Sequence, residues 1–218
     1  MDTFEGKGLL LLSGGFDSPV AGHLMKAQGL DVVALHFSYE PVTDDASVGK
    51  AIRLAQHSGI PTLFVVRAGN AFKEVVKNCR HKLYFVITKR LMMRVASEVA
   101  RHEGCDYLIT GESLGQVSSQ TLRNLSVIDA AATVPVLRPL IGFDKQEIID
   151  RAKGIGTYAI SVGPELCDIL GPKHPATQAR LEDVEGEEAR IDVPALVAGM
   201  LATTHAIDTA AKPVEVVG

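Results

Sequence analysis

No run of apolar residues in this chain approaches the ~18 needed to cross a bilayer, so a helical membrane protein is not expected. The opening MDTFEGKGLLLLSGG puts two acids ahead of its apolar run and offers no small-residue cleavage site, which argues against a secretory leader. Cysteine is scarce: Cys79, Cys105 and Cys167 are the only three, far apart and without a CxxC pair. A disulfide framework or a cysteine-built zinc centre is therefore not expected, and a reducing, cytoplasmic setting is. There is no internal repeat, no low-complexity block and no excess of positive charge. With 22 Lys and Arg against 26 Asp and Glu, the formal net charge is −4, which gives no global attraction for nucleic acid.

What is present is an ordinary globular composition over 218 residues, 46% hydrophobic and 22% charged. That length suits one large α/β domain, or a domain of about 150 residues plus an appendage. Charge is segregated along the chain. From Lys73 to Arg101 eight Lys and Arg face only Glu74 and Glu98, a local net charge of +6, whereas Glu182 to Asp192 holds six acids and one base, Arg190.

Short apolar runs alternate with helix-length amphipathic stretches, the pattern of a parallel α/β sheet. Strands are expected at Lys7–Leu12, Asp31–Phe37, Pro61–Val66, Asp106–Thr110 and Val134–Leu137. Helices are expected from Pro19 to near Gly29, at Asp44–Ser58, from about Leu83 to His102, from Gln116 to Ala131, at Asp144–Gly154 with Asp144 as N-cap, and at Val193–Ala206. The expected fold is α/β, a doubly wound parallel sheet of about five strands with helices on both faces. Gly163–Thr177 is rich in Gly and Pro and reads as a loop, and the last ten or so residues read as a frayed end. A loose boundary near Ser161 separates residues 1–161 from an extension, 162–218, packed on the same domain.

The strongest signal is Ser13-Gly14-Gly15-Phe16-Asp17-Ser18, set between a buried strand and a helix. Glycines there let backbone N–H groups converge on an anion, and the helix N-terminus and two hydroxyls add donors. The spelling is neither GxxxxGK[ST] nor GxGxxG, so a kinase-type loop and a dinucleotide fingerprint are both unsupported. SGGxDS instead resembles the pyrophosphate loop of the ATP pyrophosphatases, which adenylate a carbonyl oxygen and then replace it with a nucleophile.

Further segments narrow the likeness. SGGFDSPVAGHLMKAQG, KRLMMRVASEVA, TGESLGQVSSQTLRNL, PVLRPLIGFDKQEII, and GTYAIS with CDILGPKHPAT occur in this order. Together, over roughly residues 7–180, they resemble the catalytic domain of the tRNA 4-thiouridine synthetases, sulfurtransferases also tied to thiamine biosynthesis. The resemblance implies an adenine-nucleotide α-hydrolase-like fold, ATP and Mg²⁺ as cofactors, and tRNA as the partner. Family members carry a ferredoxin-like region and an RNA-binding THUMP domain ahead of this part, and some carry a rhodanese domain after it. Neither is expected in this chain. The grip on tRNA is then expected from a separate protein or from a homodimer, and the sulfur from sulfide, a persulfide carrier or a cysteine desulfurase.

On this resemblance Ser13, Gly14, Gly15, Phe16 and Ser18 form the phosphate cradle. A bare carboxylate at Asp17 would repel ATP unless Mg²⁺ bridges it to the phosphates or it orients the loop, although an acid at a helix start is also favoured by the dipole. His36 and Phe37, at the carboxyl edge of the second strand, are expected to meet adenine through backbone groups, with the His36 ring itself a structural histidine. Gly111, Glu112 and Gln116 follow the fourth strand and are expected to flank the ligand, Glu112 fitting a helix cap equally well. Lys145 at a helix start implies an anionic ligand. Arg90 and Arg94 are expected to reach phosphate as part of the basic stretch, although each alone fits a solvated helix face. The resembled family has a catalytic cysteine at the place of Cys167, which resolves a persulfide, and Lys173 nearby would favour its thiolate. Cys79 is either a second redox partner or a passive helix residue, and Cys105 reads as inert. The expected chemistry adenylates a uracil-type carbonyl, releases pyrophosphate, and lets sulfur displace AMP. The alternatives are an ammonia-using ATP pyrophosphatase and an ATP-binding sensor or subunit without catalysis.

Overall fold

The computed structural model describes residues 5–162 and 169–210. In chain order it contains β1 (Lys7–Leu11), α1 (Asp17–Ala27), β2 (Asp31–Ser38), α2 (Ala46–His57), β3 (Thr62–Arg67), α3 (Gly69–Asn78), α4 (Tyr84–His102), β4 (Tyr107–Ile109), α5 (Leu122–Asp129), β5 (Val136–Leu137), α6 (Lys145–Gly154), α7 (Tyr158–Ser161), α8 (Leu181–Glu188), α9 (Val193–Leu201) and β6 (His205–Asp208). The strands form one sheet in the order β5-β4-β1-β2-β3-β6. All neighbours are parallel except β6, which runs antiparallel to β3 from Thr62↔Asp208 to Val65↔His205. Among the described residues no helix is long and apolar enough to cross a membrane.

The expected doubly wound sheet is present, with six strands rather than about five. The leucine run of β1 explains why it sits in the middle. Leu9 joins one core with Leu35, Val66, Phe72 and the long α4, while Leu10 and Leu12 join the other with Val20, Leu54 and Ile148. Apolar residues on both faces fit only a strand covered on both sides. From β1 the chain winds outward through β2 and β3, then returns to lay β4 and β5 on the other flank. The reversal falls between β1 and β4, the crevice where ligands bind in sheets of this type.

Three expected elements differ. The helix expected from Gln116 to Ala131 starts late: Gly115 adopts φ +76°, a single 3₁₀ turn covers Ser118–Gln120, and the Thr121 hydroxyl caps α5 by accepting from the Asn124 amide. The helix at Val193 stops at Leu201, and the next residues form β6 along the sheet edge. Part of the basic stretch is paired inside the fold. Arg90 donates through Nε and Nη2 to the two carboxylate oxygens of Glu188 at 2.9 and 3.0 Å, and Arg94 grips the same carboxylate with both terminal nitrogens at 2.8 Å. Arg80 pairs with Glu187 at 2.8 Å. Glu187 and Glu188 of α8 thus pair with Arg80, Arg90 and Arg94 from within the fold.

Candidate functional site

Three loops meet at the carboxyl ends of β1, β4 and β5. The first, Ser13–Phe16, leads from β1 into α1. It is knit internally: the Ser13 amide donates to Ser18 Oγ at 3.0 Å, the two hydroxyls lie 3.1 Å apart, and the Gly15 amide donates to Ser13 Oγ at 3.3 Å. Phe16 occupies the N-cap position and its side chain makes no cap hydrogen bond. Asp17 opens the helix with one carboxylate oxygen shielded from solvent, and Ser18 is buried behind it.

The second loop follows β4. A Cβ built on Gly111 would lie 2.6 Å from the Ser18 nitrogen and 2.7 Å from the Asp17 carbonyl carbon, so only glycine lets this strand end press against the start of α1. Glu112 is no helix cap. It is buried, accepting from Lys89 Nζ at 2.7 Å, Arg138 Nε at 2.9 Å and the Thr110 hydroxyl at 3.2 Å. Burial raises its pKa, but Lys89 and then Arg138 outweigh that and hold it below the ordinary carboxylate value. Arg138 also reaches Asp129, donating from Nη1 at 3.0 Å, so one ionic chain joins α4, the loop after β4, α5 and the residue following β5. In the turn beyond, Gln116 and Gln120 each hold one buried side-chain amide atom without a hydrogen-bond partner in the structure, Nε2 and Oε1 respectively.

The third loop runs from β5 to α6. The Ser113 hydroxyl donates to the Phe143 carbonyl at 2.7 Å and the Leu114 amide to the Ile141 carbonyl at 3.2 Å, tying it to the second. Asp144 caps α6 in a reciprocal box with Glu147. Lys145 follows at the first helical position, exposed and without an ion pair among the described residues.

His36 braces the first loop from behind. It is buried, with Nδ1 at 2.9 Å from the Leu12 carbonyl and Nε2 at 3.2 Å from the Ser47 hydroxyl on α2. Desolvation lowers its pKa, so the ring is neutral; Nδ1 carries the proton donated to the carbonyl, and Nε2 accepts from Ser47. The structural role expected for the ring is what the contacts display. Phe37 points into the core beneath, leaving only its backbone for a ligand.

Of the residues expected at the site, the fold packs Gly111 directly against Asp17 and Ser18 at the end of the glycine loop. Sequence reasoning missed Lys50, whose stem crosses Gly14, along with Lys89 and Arg138 on Glu112, and Gln120. A lysine on an amphipathic helix carries no sequence signal of such placement. Gln120 lies within TGESLGQVSSQTL, where only Gln116 was singled out. Cys167 lies outside the described residues. Cys79 is buried and donates to the Glu187 carbonyl at 3.5 Å; burial, then Glu187, raises its pKa, which makes it a poor thiolate. Burial pushes the Cys105 thiol up to about 11.

A mostly parallel sheet with a glycine loop at its reversal point defines a doubly wound α/β fold. The family profile described as "Thiamine biosynthesis protein (ThiI)" matches residues 3–193, and the chain belongs to that family. A probable tRNA sulfurtransferase of Moorella thermoacetica is 46% identical over 202 residues, covering 90% of this chain and 52% of that protein. One from Finegoldia magna is 44% identical over 199 residues, covering 88% and 51%. The chain thus spans about half the length of the curated relatives it matches. The crystal structure of a 4-thiouridine synthetase–RNA complex with bound ATP superposes with a TM-score of 0.87 at 37% identity, over 93% of this chain and 55% of that one. An NMN synthetase from Francisella tularensis shares the fold, with a TM-score of 0.58 at 15% identity.

Proposed function

We propose that this chain is the ATP-using catalytic part of a tRNA sulfurtransferase that makes 4-thiouridine, with thiamine-linked sulfur transfer as a related outlet. The observation that carries the reading is the packing of Gly111 against Asp17 and Ser18, which sets the loop after β4 over the anion-binding N-terminus of α1. The names of the relatives and the ATP-bound neighbour support it.

In this reading the amides of Gly14 and Gly15, the Ser13 and Ser18 hydroxyls and the first turn of α1 bind the phosphates of ATP. Backbone groups of His36 and Phe37 meet adenine, and the amides of Gln116 and Gln120 are free to meet nucleotide or base. Among the described residues no cluster of three His, Cys, Asp or Glu could cage a metal. One carboxylate beside a phosphate cradle still fits Mg²⁺, which takes one or two carboxylates and completes its shell with phosphate and water. Asp17 would hold it, and the ion when bound neutralises charge on the phosphates. The carbonyl oxygen of a uracil-type base attacks the α-phosphorus, the bond to the β-phosphate breaks, and pyrophosphate leaves. Lys145 and the loop amides stabilise the charge developing on phosphate. A sulfur nucleophile then attacks the activated carbon, and AMP departs with the original oxygen.

With sulfide as donor the product needs only to lose a proton. With a persulfide carrier, Cys167 resolves the mixed disulfide, and the disulfide left on the protein is returned by an external thiol. A cysteine desulfurase is one source of such persulfide. A separate RNA-binding protein or a second copy of the chain supplies further grip on tRNA, in the cytoplasm.

The test incubates purified protein with ATP, Mg²⁺, sulfide and unmodified tRNA, and follows AMP by chromatography and 4-thiouridine by mass spectrometry. The expected result is AMP and thiouridine together, with Asp17→Asn abolishing both. Cys167→Ser is expected to spare the sulfide reaction and block the persulfide one. AMP without thiouridine would redirect the search to another acceptor. No ATP turnover, even with an RNA-binding partner added, would sink the reading.

A further inference from the structure

We infer that Lys50 on α2 is a phosphate-binding lysine that closes the glycine loop over Gly14. This deepens the reading of the site as an ATP site and rests on it. Gly14 is the starting point. It is not among the glycines with positive φ, so its backbone conformation is open to any residue. What bears on the glycine is the side chain lying above it. A Cβ built there would lie 3.2 Å from Lys50 Cδ and 3.8 Å from both Cε and Nζ. The alkyl stem of Lys50 therefore crosses the bare backbone of the loop and delivers its ammonium beside the anion-binding turn. A stem packed this way keeps its apolar length out of water while the charged end stays at the ligand.

The placement of Lys50 is not left to a flexible surface helix. Ala51, Leu54 and Ala55 are buried and anchor α2 on the sheet. Ser47, one turn before Lys50 on the same helix face, hydrogen-bonds Nε2 of the buried His36, whose Nδ1 holds the carbonyl of Leu12. Leu12 is the residue immediately before Ser13. A single neutral imidazole thus fixes both the start of the loop and the helix that carries the lysine.

The chemistry fits a polyphosphate. Loop amides and the first turn of α1 donate to oxygens on one side of a phosphate chain, and the oxygens turned away from them need a counter-charge. A lysine offers three donors and a full positive charge on an adjustable stem, suited to oxygens whose positions shift as pyrophosphate departs. Lys145, at the first position of α6 beyond the loop that ends β5, comes from the opposite flank of the crevice. The two lysines bracket the loop, and Lys50 recognises phosphate rather than adenosine.

The test compares the wild type with Lys50→Met, Lys50→Arg and Gly14→Ala by calorimetric titration with ATP and Mg²⁺, and separately with adenosine. Lys50→Met is expected to weaken ATP binding roughly ten- to hundredfold while leaving adenosine affinity and the melting temperature unchanged. Lys50→Arg should restore most of the ATP affinity, and Gly14→Ala, by displacing the stem, should copy the selective loss. If Lys50→Met binds ATP as the wild type does, the inference falls while the site reading stands. Equal loss of ATP and adenosine overturns it in favour of a structural role. Wild-type protein that binds neither ligand overturns the site reading and this inference with it.

Discussion

Arg90 carries its guanidinium into the interior with 2% of its surface exposed, and the partner waiting there is Glu188, 98 residues further along the chain. The same guanidinium donates to the Val127 carbonyl at 2.6 Å, and Arg94 shares the Glu188 carboxylate from the rim. Removing Glu188 takes the carboxylate from the buried Arg90, which costs about 3–5 kcal/mol, whereas removing Arg90 leaves Glu188 still held by Arg94. Glu188→Ala should lower stability by that order in urea denaturation, and Arg90→Ala by less, because Arg94 stays on the carboxylate. Replacing Arg90, Arg94 and Glu188 together with apolar residues of similar volume should recover most of it.

Stability should fall on the acid side in two windows. The pKa of His36 is depressed below 6.5 by burial, so the unfolded chain binds that proton first; the contribution is complete above 6.5 and is lost as pH falls through 6.5 towards the folded value. Urea midpoints measured from about pH 7.5 to about pH 5 should show this slope, and His36→Asn should flatten it. The carboxyls of Glu112 and Glu188 are also depressed, burial being outweighed by their cationic neighbours. Their contribution is present above the unfolded value and lost below about pH 4.3.

Gly111→Ala tests the contact between the loop after β4 and α1. The added methyl meets backbone, which cannot rotate away, so the loop must lift. A stability loss of about 1–3 kcal/mol is expected, with ATP affinity reduced by more than that loss accounts for. Thermal melts and ATP titration of the same sample separate the two. Unchanged ATP binding would show that the loop after β4 does not frame the nucleotide.

Alkylation of native protein at about pH 8 should leave Cys105 unmodified long after it reacts in urea, because a thiol raised to about 11 holds little thiolate there. Cys79 should be protected in the same way, and Cys79→Ser should retain sulfur transfer. Mass spectrometry of trypsin fragments reads both. Rapid native modification of Cys79 would reopen its redox role.

What was legible in the sequence was local. The leucines of β1, the SGGFDS turn and Asp144 with Glu147 at the head of α6 each write their structure within a few residues. The misreadings came from partners far apart in the chain. The ion pairs of Arg80, Arg90 and Arg94 are not legible because their carboxylates, Glu187 and Glu188, sit in another segment, so charge segregated in sequence is partly paired in space. Glu112 was undecided between cap and site because its partners Lys89 and Arg138 lie on either side of it in sequence, on different elements. The four residues of β6, His-Ala-Ile-Asp, are mostly exposed on an edge and carry no alternation to mark a strand. Lys50 drew no notice because its neighbour, Gly14, is reached only through the crossing from β1 to α2.

The two margins of the sheet are both meagre. β5 offers a ladder of two residues, and the far side ends in four residues running against the grain of the strands beside them. Among the described residues the sheet margins leave little open backbone to which a stranger's strand could attach, which guards central strands this apolar against fibre-like stacking. Whatever associates with it has to recognise side chains on helices and loops, where each partner can be discriminated by shape and charge.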